Sequence, residues 1–150
     1  MNRFVSLGIF LVFVVGGGAA IGMLTAPGGW YAELAKPAFN PPNWLFGPVW
    51  TALYVLIAIA GWRCWRSDRR GLPMRLWWLQ MALNFIWSPI FFTAHAIGAA
   101  LAVILLLLGA ILGFIRASWD SDRTASCLFL PYAAWVAFAA LLNAALFILN

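Results

Sequence analysis

The sequence predicts an all-α integral membrane bundle of five transmembrane helices, and three observations carry that prediction. Of its 150 residues, 65% are hydrophobic and only 9% charged, against about 25% charged in an ordinary soluble domain. The apolar residues fall in runs close to the ~20 residues that a helix needs to cross ~30 Å of hydrocarbon. The basic residues collect in alternate connections between those runs, as they do when one face of a bilayer retains positive charge.

The first span covers about residues 4–24 and holds no charged side chain. Arg3 followed by an apolar stretch has the outline of a secretory signal, but the stretch is long for one and no A-x-A cleavage site follows. The second span covers about residues 44–62. Between Arg75 and Arg116 no formally charged residue occurs, a length of about two spans. A turn around Thr93, Ala94, His95 and Gly98 divides it into spans at about 74–92 and 96–115. The fifth covers about residues 124–149 and includes Pro131. Barrel strands are excluded because the runs are too long and lack polar alternation, whereas helices satisfy their own backbone in lipid. The whole chain, residues 1–150, is then one transmembrane domain with no room for a separate soluble module.

With five spans, Arg3, Arg63, Arg66, Arg69, Arg70, Arg75, Arg116 and Arg123 fall on one side and Lys36 alone on the other. The amino terminus is therefore expected in the cytoplasm and the carboxyl terminus outside, with the bacterial cell membrane as the location. A net charge of +5 does not point to nucleic acid, because topology accounts for where the arginines lie. Residues 26–43 form a different kind of connection, rich in Pro, Gly and aromatic residues, with Glu33 and Lys36 as an oppositely charged pair. Its prolines preclude a long helix, and it is suited to covering an opening.

Enzyme constellations are poorly supported. One histidine and four acidic residues supply no hydrolytic triad, metal cage or intramembrane proton relay. Cys64 and Cys127 lack metal or redox spacing and read as structural or incidental. His95 reads as a solvated turn residue. Gly16, Gly17 and Gly18 lie inside an apolar span without the lysine of a phosphate loop, so close helix packing explains them better. Gly18 with Gly22, and Gly109 with Gly113, have the small-x-x-x-small spacing of an internal or dimer contact.

Ten tryptophans are more than interfacial belts require. Trp50 and Tyr54 share one helical face. Asn84, Trp87 and Ser88 share another, and Tyr132, Trp135, Ala139 and Asn143 fall near one stripe. Asparagine is costly against lipid, so these stripes face inward. They serve either as a packed core joined by asparagine hydrogen bonds or as the lining of a pocket for a flat, largely apolar molecule.

The chain from Trp30 onward resembles the tryptophan-rich sensory protein/translocator family, also called the peripheral benzodiazepine receptor family. The resemblance is carried by Trp30-Tyr31, Leu34, Lys36-Pro37, Phe39, Pro41-Pro42, Phe46-Gly47-Pro48-Val49-Trp50-Thr51 and Leu53-Tyr54. It continues through Gln80, Leu83-Asn84, Trp87-Ser88-Pro89 and Phe91-Phe92, then Pro131-Tyr132, Trp135, Phe138-Ala139 and Leu142-Asn143. It implies a five-helix bundle, commonly a homodimer, with a cavity capped by the first loop; from the residues themselves no cofactor or metal is expected. It also implies binding of porphyrins such as protoporphyrin IX, with haem, sterols or benzodiazepine-type compounds as further ligands. By motif, the ligand-binding positions are Tyr31, Pro41, Trp50, Tyr54, Asn84, Trp87, Ser88, Trp135 and Ala139.

Two departures bear on ligand choice. The sterol pattern lacks its basic residue after Tyr132, and Ala99 stands where many relatives carry tryptophan. The reading is therefore a receptor or regulator for tetrapyrroles, with transport as an extension. The alternative is a light- and oxygen-dependent porphyrin-degrading enzyme, in which Trp50 and Trp135 would be the catalytic residues.

Overall fold

The computed structural model describes residues 2–150, and all regular elements among them are helical. Helix α1 (Arg3–Leu24) is followed by a short helix α2 (Gly29–Glu33) in the first connection. Helix α3 (Asn43–Ser67) opens with a tight turn directly after Pro41 and Pro42. Helix α4 (Leu72–Ser88) ends in a π-helical turn, Pro89–Thr93. Helix α5 (Ile97–Ser118) and helix α6 (Arg123–Leu149) complete the bundle.

Four of these, α1, α3, α5 and α6, are long and apolar enough to cross a membrane. The regular part of α4 has 17 residues, which at 1.5 Å each is about 25 Å. Pro89 has no N–H to return to the preceding turn, so the helix widens there and gains five more residues before it stops. Large apolar side chains such as Phe4, Val12, Leu106, Leu141 and Ile148 are exposed on the outside of the bundle, where acyl chains rather than water would meet them.

The observed ends shift modestly from those expected. Helix α3 runs through Arg63, Cys64, Trp65 and Arg66 to Ser67, several residues past the predicted exit at 62. Helix α5 likewise continues past residue 115 to Ser118 and carries Arg116 in its last turn. Charge does not stop these helices, because arginine at a helix C-terminus is favoured by the backbone dipole and its long stem reaches back toward water.

The arginine-bearing end is closed. Trp62 Nε1 donates to Ser6 Oγ at 3.0 Å, which ties α3 to α1. Arg63 grips Asp122 through Nε at 2.9 Å to one oxygen and Nη2 at 3.0 Å to the other, which ties α3 to the start of α6. Asp122 also caps α6 by accepting from Ala125 N at 3.1 Å. Arg66, Arg69 and Arg123 lie over the rings of Trp62, Trp65 and Trp119, a cation–π arrangement that places amphipathic pairs at the helix ends.

Trp77 on α4 is wholly buried and sits on α3 where Gly61 has no side chain. A Cβ at Gly61 would overlap its indole. That fit lets Trp77 Nε1 reach Ile57 O at 2.9 Å. Around it pack Phe10, Met74, Met81, Phe114 and Phe129, so this half of the bundle is solid.

Gly61 belongs to neither of the glycine pairs singled out by spacing. Of those pairs, Gly18 meets Tyr54 and Gly113 meets Leu76, whereas Gly22 and Gly109 meet nothing within 4 Å. Small-x-x-x-small spacing therefore located one contact in each pair and missed the contact of Gly61 with Trp77.

The other end is open. Helices α4, α5 and α6 pack in sequence, and α1 lies along α3. Away from the closed end, α3 meets the later part of α6 only sparingly.

Two outcomes follow from the closed end. Gly61→Ala should destabilise by about 1–3 kcal/mol through overpacking against Trp77, measured as thermal unfolding in detergent with Gly109→Ala, which meets open space, as the neutral comparison. For Asp122, burial pushes the carboxyl pKa up, but hydrogen bonds from Arg63 and Ala125 N–H together with the Arg63 charge outweigh it and hold the group below its ordinary value. The folded state thus favours the carboxylate. Its contribution is complete above the ordinary aspartate value of about 3.9 and is lost as pH falls through the lowered folded value. Asp122→Ala should cost about 1–2 kcal/mol at neutral pH and flatten the acid side of the stability profile, and an unchanged acid limb would contradict this account.

Candidate functional site

The gap between α3 and the later part of α6 is a cavity of about 770 Å³, within the size range of small-molecule sites. Its walls come from α1, α3, α4, α5 and α6, and Tyr31 on α2 faces it from the cap. No charged side chain lines it among the described residues.

Of the positions singled out from sequence, Tyr31, Trp50, Tyr54, Asn84, Trp87, Ser88, Trp135 and Ala139 all lie on this wall. Pro41 does not. Pro41 and Pro42 carry the chain into α3, with Pro42 extended at φ −60° and ψ 143°, and it is Asn43 and Phe46 on the first turns of that helix that reach the cavity. Tyr132, on the same predicted stripe as Trp135, is fully buried behind the wall.

Each indole is held by a neighbour. Trp50 lies 5.5 Å from the Tyr54 ring and 6.3 Å from that of Tyr132. Trp135 meets Phe46 edge-on at 5.8 Å. Trp87 stacks on Phe91 at 5.1 Å and donates from Nε1 to Asn143 Oδ1 at 3.2 Å. Asn143 in turn donates to Ile97 O at 3.1 Å, so one amide joins α4, α5 and α6. The Trp135 Nε1 hydrogen is buried and has no acceptor among the described residues, a donor left unspent on the wall.

Polar groups line the deeper part of the wall. Tyr54 Oη donates to Asn84 Oδ1 at 3.1 Å, and Asn84 Nδ2 donates to Tyr132 Oη at 2.7 Å. At the cap end, the Thr25 and Ser88 hydroxyls are 2.6 Å apart. The wall is thus apolar aromatic surface with a few fixed neutral polar groups, suited to a flat apolar molecule with polar edges.

The cap is a built element. Tyr31 is buried against Phe91 and Phe92. Burial pushes its phenol pKa up, offset in part by the Asn40 side chain, so it remains neutral at physiological pH. Lys36 was expected to pair with Glu33. Instead its ammonium donates to the carbonyls of Tyr31, Ala32 and Leu34 at 2.7, 3.1 and 3.2 Å and lies over the Tyr31 ring, fastening the end of α2.

His95 is exposed, as expected of a turn residue, with φ 55°. It also stacks face to face on Trp30 at 4.0 Å, so it anchors the cap to the turn between α4 and α5. A second anchor is Asn150, whose side chain accepts from Ala35 N and donates to Ala35 O, both at 3.0 Å.

The sequence reading gave the site no residue from α1. Gly18, Ile21 and Thr25 nevertheless line it. The available signal was the Gly16–Gly18 run, since a helical position without a Cβ lets a partner ring close in, here Phe85 at Gly17 and Tyr54 at Gly18.

Residues 9–149 match the model of the TspO/MBR family. The chain belongs to the TspO/MBR family. It is 34% identical to protein CrtK of Rhodobacter capsulatus, over 97% of this chain and 94% of that one. It is 39% identical to the human translocator protein, over 76% of this chain and 70% of the relative. With the tryptophan-rich protein TspO of Archaeoglobus fulgidus it shares 41% identity over 81% and 80% of the two chains. Family membership and the four membrane-competent helices make this an integral membrane protein, and the matched segment contains the cap and every residue of the cavity wall.

If Asn150 fastens the cap, Asn150→Ala should speed hydrogen exchange at the Ala35 amide about tenfold while leaving exchange at Trp77 and its neighbours unchanged. Mass spectrometry of the protein in detergent reads both regions in one experiment.

Proposed function

We propose that this protein is a membrane receptor that takes a tetrapyrrole of the protoporphyrin IX type into the cavity beneath the cap. The observation that carries the reading is that Trp50, Trp87 and Trp135, from α3, α4 and α6, line one cavity of about 770 Å³ free of charged side chains. Indole faces stack on a macrocycle, and the polar wall orients its edge. Relatives named translocator protein and tryptophan-rich sensory protein agree with a role in ligand capture at a membrane.

In this reading α4 is a fifth span, the arginine-bearing end faces the cytoplasm, and the carboxyl end and cap lie outside, in a bacterial cell membrane. Haem is a further candidate ligand; sterols rank lower because no basic residue follows Tyr132, and benzodiazepine-type compounds because Ala99 leaves the start of α5 without an aromatic ring. A homodimer is the expected assembly. Proton-coupled transport is disfavoured, because Glu33, Asp68, Asp120 and Asp122 all lie in connections rather than spans.

A second reading rests on Trp50 and Trp135 sharing the wall. A porphyrin held against both indoles, illuminated in the presence of dioxygen, would have oxidisable partners in contact. Light-dependent product formation that requires both tryptophans, and that denatured protein does not support, separates this activity from simple binding.

Titration of the purified protein in lipid with protoporphyrin IX should quench tryptophan fluorescence saturably. Trp135→Phe should weaken the affinity several-fold, whereas Trp65→Phe, packed against Phe10 at the closed end, should leave it unchanged. Equal effects of the two substitutions would reject the cavity as the binding site.

A further inference from the structure

A count of hydroxyl and amide hydrogens along the wall assigns a direction to its hydrogen bonds. Gln80 is fully buried on α4, and its Nε2 donates to the backbone carbonyl of Trp77 at 3.0 Å. A carbonyl only accepts, so the amide cannot be turned over without setting two oxygens against each other. Gln80 Oε1 must therefore face Tyr132, whose hydroxyl donates to it at 2.8 Å. Tyr132 has then spent its one hydrogen and accepts from Asn84 Nδ2 at 2.7 Å. This leaves Asn84 Oδ1 toward Tyr54, whose hydroxyl donates to it at 3.1 Å. Each link is forced by the one before it, and the direction originates at a backbone carbonyl on the far side of the relay.

The consequence appears at the cavity. Tyr54 lines it, and Gln80 and Tyr132 do not. With its hydrogen committed to Asn84, the Tyr54 oxygen offers only lone pairs to whatever enters. The same count gives the same answer at a second, separate place. Thr25 Oγ1 donates to Ile21 O at 2.7 Å, so in its 2.6 Å contact with Ser88 the hydrogen must come from Ser88. Ser88 too is left as an acceptor. Asn84 retains a second N–H and Trp135 Nε1 is unspent on the same wall, so ligand acceptors are not without a partner, but neither hydroxyl can supply one.

We propose that Gln80 and Tyr132 are positioning residues that hold the Tyr54 oxygen as an obligate hydrogen-bond acceptor, and that the cavity thereby prefers aromatic ligands presenting an N–H or O–H donor over equally shaped ligands without one. This rests on the cavity's being the ligand site and adds to it a rule of selection. A relay satisfied at every member is rigid in a low-dielectric interior, and reversing it would leave buried groups unpaired, so the preference is built into the protein and not left to rotation of a hydroxyl.

The test uses carbazole and dibenzofuran, two flat tricycles of nearly the same shape that differ in an N–H against a weakly accepting ether oxygen. Each is titrated calorimetrically into the full-length protein in detergent, with empty micelles subtracted and protoporphyrin IX titrated in parallel. Carbazole should bind about tenfold more tightly, the worth of one neutral hydrogen bond. Tyr54→Phe should bring the ratio to about one. Gln80→Leu releases the relay and should also bring it toward one, with Tyr54 intact.

A merely structural role for Gln80 would weaken both tricycles alike and preserve the ratio, which would overturn its assignment. A ratio near one in the unmodified protein, or no binding of either tricycle, overturns the selection rule whatever the porphyrin does. A flat porphyrin titration beside a tenfold tricycle ratio would instead reject the tetrapyrrole reading and leave the rule standing. Should Gln80→Leu fail to fold, a tenfold ratio that persists in Tyr54→Phe would overturn the proposal by itself.

Discussion

The constraint on which the rest of this structure depends is that polar groups inside a bilayer have no water to turn to. Tyr132 and Asn143 lie on a helix able to cross the membrane and Gln80 and Asn84 on α4 packed against such helices; all four are buried, and each must find its partners on a neighbouring helix or on a free backbone carbonyl. The Tyr54–Asn84–Tyr132–Gln80 relay joins α3, α4 and α6, and the Trp87–Asn143–Ile97 chain joins α4, α6 and α5. These bonds hold the helices in register around a cavity that apolar packing alone would tend to close.

Glycine and tryptophan decide where the bundle is solid and where it is hollow. At Gly61 the missing Cβ lets the Trp77 indole lie on the backbone of α3, and that half closes around it. Toward the cap, Trp50 and Trp87 lean on aromatic neighbours of their own helices, Trp135 leans on Phe138 of its own helix and on Phe46 of α3, and the three indoles line a cavity instead of filling it. The same residue type thus fills one end and lines the other, the Trp77 indole being seated on Gly61 of the facing helix. The cap is fastened by Lys36 on its own carbonyls, by His95 stacked on Trp30, and by Asn150 on Ala35.

Much of the fold was legible because lipid imposes a length and a charge rule on sequence. Uncharged runs, the turn at His95 and the segregation of arginine placed the helices within a few residues of where they lie. The wall was largely legible because a costly asparagine must face inward and carries the residues three and four positions away with it. Trp87, Ser88, Trp135 and Ala139 followed from that argument. Pro41 was misplaced because a motif records which residues occur together and not which side of a turn each one faces. The contribution of α1 went unread because Gly18 and Thr25 have no polarity pattern that distinguishes a wall from a lipid-facing surface.

By itself, then, the sequence determined that this chain is a membrane bundle, which ends of its helices carry the positive charge, and which aromatic and amide residues turn away from lipid. Those are properties of single helices in a solvent of known thickness and polarity. Only the tertiary structure decided whether the inward stripes meet as packed core or stand apart around a cavity, that Gly61 as well as Gly18 receives a ring from a facing helix, and that the hydrogen bonds behind Tyr54 run in one direction. The physical reason is that each depends on distances between helices and on which group has already spent its hydrogen, and no pattern along one strand of sequence contains that information.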